Sequence, residues 1–151
     1  MENPRIAFPL SLRKGGTEWT LIFIGYGRGA MERKGAKKNI LAFMYAERLK
    51  STLIITGQLL DALGDLKEGE RAGGLKIFSS FLKGVIGEIR VAVNVMEYMH
   101  WDSLSRQLNL MEGYARLGQM EAARQELSRT LSSVTTLSGR AMTYLQEADL
   151  L

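Results

Sequence analysis

The side chains best suited to binding chemistry are seven basic residues in the first third of the chain. They fall within 23 residues, and only two acids, Glu32 and Glu47, lie among them. Tyr26 precedes the group, so the segment combines cations that neutralise phosphates with a ring that stacks on bases. The predicted site for an anion or for nucleic acid comprises Tyr26, Arg28, Arg33, Lys34, Lys37, Lys38, Arg48 and Lys50. The alternative is a solvated helical surface, and it is favoured because basic stretches at a surface usually serve only to keep a protein soluble.

Side chains for catalysis or metal binding are few. The chain has no cysteine and one histidine, His100, which excludes a thiolate nucleophile, a zinc finger and a two-histidine zinc site within one chain. Glu97 and His100 have the spacing of ligands in carboxylate-bridged di-iron bundles, but such a site needs two of these pairs. We therefore expect no catalytic residue, metal or cofactor, and interpret His100 as a helix-end side chain beside Trp101.

A glycine-rich segment over residues 25–30 has the glycine spacing of a dinucleotide-binding turn if Ala30 replaces the third glycine. A dinucleotide site also needs a second strand, which ends in an acidic residue, after the turn, and the sequence shows neither. We interpret residues 25–30 as the exit from a preceding β-hairpin.

That hairpin is predicted from alternating apolar residues. Ile6, Phe8, Leu10 and Leu12 recur with a period of two, residues 13–16 supply a turn, and residues 17–24 form the return strand. This pattern is typical of two antiparallel strands. Residues 1–30 are therefore predicted to be a β-hairpin appendage with a glycine-rich exit.

From about residue 36 the apolar spacing becomes helical. It predicts four helices, over residues 36–64, 75–100, 102–117 and 120–148, with a continuous second and third helix as the alternative. In the third helix Leu104, Leu108, Met111 and Ala115 are predicted to face inward, and in the fourth an apolar seam that includes Thr130 repeats every seven residues. The second is apolar nearly all round, so we expect it to be the buried central element, with Gly84 and Gly87 permitting a close neighbour. Glycines within residues 65–74 predict a loop. The predicted fold class is mainly α (α+β): the hairpin, then an antiparallel four-helix bundle with long helices over residues 31–151, as a single domain overall.

The turn between the last two helices resembles that of a tetratricopeptide repeat. The residues that carry the resemblance are Tyr114, Leu117, Gly118, Met120, Ala123, Leu127 and Leu131. No second copy of this pattern stands 34 residues upstream. Repeat arrays need neighbouring repeats to bury their apolar faces, so the sequence does not indicate such an array. The resemblance implies a helical hairpin at Gly118 and no peptide-binding function.

Charge and length limit the function further. The 151 residues carry a net charge of +4, with ten basic and four acidic residues over 1–50, and ten and twelve over 51–151. The longest uncharged runs are far below the roughly 20 apolar residues of a spanning helix, so we expect a cytoplasmic protein with no membrane partner.

The leading hypothesis is a small non-catalytic helical interaction subunit that binds copies of itself or a helical protein. The alternative is a basic helical subunit of a nucleoprotein complex that holds the RNA or DNA backbone through residues 28–50.

Overall fold

Nearly all of the described chain is helical. The computed structural model describes residues 18–96 and 101–150, with side chains over residues 34–94 and 101–150. The helices are α1 (Glu18–Asp65), α2 (Glu68–Met96), α3 (Trp101–Arg116) and α4 (Met120–Glu147). These described ranges contain no strand and no helix sufficiently long and apolar to cross a membrane. The chain divides into two compact units, residues 1–34 and 35–151, and the bundle described below belongs to the second.

Within this unit, α1 is antiparallel to both α2 and α4. Arg48 of α1 binds Glu88, in the second half of α2, at 2.7 Å. At the other end, Leu63 lies against the start of α2 at Gly74. Toward α4, Glu47 accepts a hydrogen bond from Ser138 and Asp61 accepts one from Arg124. The predicted helical bundle is therefore confirmed.

Helix α3 completes the bundle between α2 and α4. Arg116, at its last turn, donates a hydrogen bond to Ser79 of α2 at 2.8 Å. Trp101, at its first turn, lines a small cavity with Ile89 and Ala92 of α2. Gly118, with a φ of 76°, turns the chain into α4. Glycine adopts this left-handed conformation readily because glycine has no Cβ. The predicted helical hairpin at Gly118 is therefore confirmed.

The core follows the alternating three- and four-residue spacing of packed helices. On α1 the buried positions are Ala42, Ala46, Leu49, Leu53, Thr56, Leu60 and Leu63. On α3 the predicted inward-facing residues Leu104, Leu108, Met111 and Ala115 are all buried, together with Trp101. The sequence spacing therefore gave the inner face of α3 correctly.

The predicted return strand and glycine-rich exit are wrong where the structure describes them. Helix α1 begins at Glu18, so residues 18–30 belong to a helix. The first strand and the turn, over residues 6–16, lie outside the described residues. The physical reason for the error is that a short, continuous apolar run such as residues 21–24 is compatible with a strand or a helix.

The predicted loop over residues 65–74 is also wrong, because α2 begins at Glu68. Glu68 and Glu70 lie in the first turn of α2, where a negative charge interacts favourably with the helix dipole. Gly74 serves packing rather than a turn: a Cβ there would collide with Leu66 and lie 3.0 Å from Leu63.

Helix α2 is not the buried centre that the sequence predicts. Its inner face is buried, but Ile77 is 71% exposed and Val91 53% exposed. A Cβ added at Gly84 or Gly87 would meet no atom within 4 Å among the described residues, so the expected close neighbour is not observed there. The reason is geometric, since a helix in a four-helix bundle turns only its inner face and two flanks toward its own chain.

Candidate functional site

The predicted basic site is only partly described. The side chains of Tyr26, Arg28 and Arg33 lie outside the described residues. Lys34 and Lys37 are exposed, whereas Lys38 is half-buried. Binding of RNA or DNA by this segment stays a prediction.

The last two predicted site residues are engaged by acids on the surface of the bundle. Arg48 binds Glu88 of α2 at 2.7 Å, and Lys50 binds Glu47 at 2.5 Å. Glu47 also accepts a hydrogen bond from Ser138 of α4. The bonds from Lys50 and Ser138 lower the pKa of the Glu47 carboxyl. The structure therefore directs Arg48 toward α2 and Lys50 toward α4 rather than gathering them on one surface.

A second carboxylate, Glu112 of α3, joins α2 to α3. Its side chain is 13% exposed and binds Arg116 at 2.6 Å. Burial raises the pKa of Glu112, but the hydroxyl of Ser79, the guanidinium of Arg116 and the charge of Lys83 outweigh it, so that the pKa is lowered. Glu112 is therefore ionised at neutral pH and contributes to packing of the bundle.

The inner face of α4 includes polar residues that the apolar heptad pattern omits. Glu126, Thr130 and Ser138 are buried. Glu126 binds Arg129 at 2.5 Å, and Thr130 donates to the carbonyl oxygen of Glu126. Sequence reasoning included Thr130 in the seam but missed Glu126 and Ser138, because it counted mainly apolar residues.

The candidate site is the outer surface shared by α1 and α2. We name this surface the α1/α2 face and define it by Met44, Arg48, Ile55, Ile77, Glu88 and Val91. All six are exposed, and the four apolar members are among the large hydrophobic side chains that the bundle leaves uncovered. The segment of α1 from Ser51 to Leu60 contains no charged residue, so Arg48 and Glu88 provide the charges of the face.

The register between α1 and α2 sets the order of these residues. The bond between Arg48 and Glu88 fixes the centre, and spacings of three, four, seven and eleven residues keep the others on the same side of each helix. Met44 and Val91 therefore lie toward one end of the face, and Ile55 and Ile77 toward the other. Gly84 lies one turn before Glu88, and a Cβ added there would meet no described atom within 4 Å.

Three depressions lined by described residues of the bundle are small. The cavity beneath the Arg48–Glu88 pair holds about 10 Å³, close to the lower limit for one water. Two depressions that involve α4 hold about 40 Å³ and 260 Å³, below the roughly 300–1,000 Å³ of typical ligand sites.

The signal for the α1/α2 face was present in the sequence but was interpreted as core. Apolar residues on all sides of α2 predicted burial, whereas the structure exposes Ile77 and Val91.

Glu97 and His100, which have the spacing of metal ligands, lie outside the described residues. Within the described residues, no group of three acids or histidines is suited to hold a metal ion. Comparison of the chain with protein-family models, curated proteins and solved structures finds no match among any of the three.

Proposed function

We propose that this protein is a helical interaction subunit that binds a second copy of itself through the α1/α2 face. The observation that carries the proposal is the arrangement of that face: one cation and one anion at the centre, with exposed apolar residues toward both ends. Large exposed apolar patches typically mark interaction sites.

The face is complementary to itself. A two-fold axis parallel to the helices places α1 of one copy over α2 of the other at the same level, as an isologous interface requires. Arg48 of each copy then lies against Glu88 of its partner, because the two residues already share one level within a chain. Net charge at the centre cancels in the pair of chains.

The same symmetry matches apolar side chains to the available space. Ile55 lies opposite the stretch of α2 between Ile77 and Gly84, and Met44 lies opposite Val91. No atom of the described chain lies within 4 Å of a Cβ built on Gly84, so a side chain from a second copy has room there. Burying these apolar side chains stabilises the dimer at roughly 25 cal/mol per Å² removed from water.

A substitution in the apolar part of the α1/α2 face tests the proposal. Ile55→Glu places a charge within the dimer interface, and we expect sedimentation equilibrium to show a dimer for the wild type and a monomer for this variant. Leu110→Glu is the matched control on α3, because Leu110 is 54% exposed and Ile55 48%, and it should leave the dimer intact. A wild type that stays monomeric at the highest attainable concentration would refute the proposal.

Charge reversal at the centre tests the two-fold arrangement itself. Arg48→Glu alone and Glu88→Arg alone each place like charges against one another, which weakens self-association. Mixing the two variants should restore dimers, because the acidic centre of one then meets the basic centre of the other. Failure of the mixture to associate would contradict this geometry.

A further inference from the structure

A row of exposed cations follows the outer side of α2 at a distance from the α1/α2 face. Lys76, Lys83 and Arg90 are all exposed and are seven residues apart. Seven residues make nearly two full helical turns, so the three side chains lie along one line at intervals of about 10.5 Å. They point roughly 100° away from Ile77 and Gly84 around the helix.

Helix α3 extends this row into a surface. The bond from Arg116 to Ser79 fixes the antiparallel register of α2 and α3, which brings the exposed Arg106 to the level of Arg90. The charge of Lys83 acts on Glu112 of α3, so the row lies on the side of α2 that adjoins α3. We name the surface formed by Lys76, Lys83, Arg90 and Arg106 the α2/α3 basic face.

These four cations lack the acidic partners that several other cations of the bundle have. Arg48, Lys50, Arg124 and Arg129 each bind an acid. Within the described part of the chain, by contrast, no ion pair involves any member of the α2/α3 basic face. Apart from the interaction of Lys83 with Glu112, the face is therefore an exposed patch of positive potential.

Acids near this face do not cancel its charge. Glu112 is largely covered and already binds Arg116. Asp102 lies in the first turn of α3, at one end of the surface. Among the residues whose side chains the structure describes, the four cations therefore outnumber the acids of the face.

The residues between the cations indicate what kind of anion binds. Ser80, Gly87, Asn109 and Gly113 occupy these positions, and they offer hydrogen bonds or close approach but no apolar core of the kind that a protein interface needs. No aromatic side chain is exposed in the described part of the chain, so bases of a single strand find no stacking platform there.

We propose that the α2/α3 basic face binds the phosphate backbone of a nucleic-acid duplex without reading its sequence. Contacts to phosphate oxygens position a protein on a duplex and carry no sequence information. This proposal uses a surface distinct from the α1/α2 face and does not depend on self-association.

The test is binding of the full chain to a fluorescently labelled duplex DNA in a series of salt concentrations. The test variant combines Lys76→Glu, Lys83→Glu and Arg90→Glu. The control combines Lys67→Glu, Arg124→Glu and Arg140→Glu, which change the net charge equally at exposed cations outside both the α2/α3 basic face and the predicted site between Tyr26 and Lys50. Four phosphate contacts predict a slope of about −4 for the logarithm of affinity against the logarithm of salt concentration.

We expect the test variant to lose at least about tenfold in affinity and its salt slope to fall by about three, while the control binds within about threefold of the wild type. Circular dichroism verifies that both variants are folded. Equal affinity for two unrelated duplex sequences supports backbone contact. The proposal fails if the wild type does not bind at low salt, if both variants lose affinity equally, or if polyglutamate or single-stranded DNA binds as tightly as the duplex.

Discussion

Glu112 illustrates how one side chain can be misjudged from its type. A glutamate in the middle of a helix suggests a side chain exposed to solvent, yet Glu112 is only 13% exposed. It binds Arg116, which also binds Ser79 on the neighbouring helix α2. Its burial opposes ionisation, and the surrounding donors and the charge of Lys83 outweigh that effect. The carboxylate is therefore part of the packing between α2 and α3.

Replacing Glu112 with glutamine removes a charge-assisted contact and should lower the free energy of unfolding by about 1–3 kcal/mol at pH 7. The pKa of Glu112 is lowered from an ordinary value of 4.5, so its contribution is present above pH 4.5 and is lost as the pH falls through the folded-state pKa. Urea unfolding from pH 7 to pH 3 should therefore show the wild type and Glu112→Gln converging at acid pH.

The control for this prediction is Glu121→Gln, because Glu121 is 77% exposed and 3.8 Å from Arg124. An exposed ion pair contributes about 0–1 kcal/mol, so this variant should differ little from the wild type. A constant gap between the wild type and Glu112→Gln across the whole pH range would contradict the assigned role.

At the scale of elements, the first turns of α2 show that neighbouring glycines have different roles. Gly73 has no atom within 4 Å of an added Cβ, whereas Gly74 faces Leu63 and Leu66 of the preceding segment. The sequence suggested a loop because glycines cluster there. Glycine lowers helix propensity, but tertiary packing of the inner face of α2 overrides that preference.

Alanine substitutions separate these two roles. Gly73→Ala should raise the free energy of unfolding by about 0.5–1 kcal/mol, because alanine favours the helix and restricts the unfolded chain. Gly74→Ala should be less stable than Gly73→Ala, since its methyl group displaces Leu66 and crowds Leu63 at 3.0 Å. Urea unfolding of both variants measures the difference, and equal stabilisation would show that Gly74 is not needed for close packing.

Much of the secondary structure follows from the sequence once helical spacing is established. The inner positions of α3 and the turn at Gly118 were predicted from apolar spacing and one glycine. The start of α1 was not, because residues 21–24 fit either periodicity. Apolar spacing also missed Glu126 and Ser138, whose burial depends on partners in three dimensions.

At the scale of the whole molecule, α2 contributes to two surfaces with different chemistry. Its side toward α1 is apolar around one ion pair, and its side toward α3 has a row of lysines and an arginine. Because these surfaces are separate, substitutions on one should act nearly independently of substitutions on the other. In the proposed dimer, each chain also presents its own basic face.

Duplex length tests how the two proposed surfaces combine. A dimer can hold a long duplex through two basic faces, which raises its affinity by effective concentration. Ile55→Glu should therefore weaken binding to a long duplex by about tenfold or more, while leaving binding to a duplex that spans one face unchanged. The combined variant at Lys76, Lys83 and Arg90 should still sediment as a dimer. Loss of dimers in that variant would show that the surfaces are not independent.

The sequence by itself determined that the chain is predominantly helical, which residues form the inner face of α3, and that it has no cysteine and one histidine, since these depend on composition and on spacing along one helix. Only the tertiary structure decided which outer faces are left uncovered and which cations lack acids. Residues 51–151 contain ten basic and twelve acidic side chains, which conceals the α2/α3 basic face. A count of charges along the sequence carries no information on where they lie in space. Helix packing places some acids in ion pairs and leaves Lys76, Lys83, Arg90 and Arg106 together at the surface.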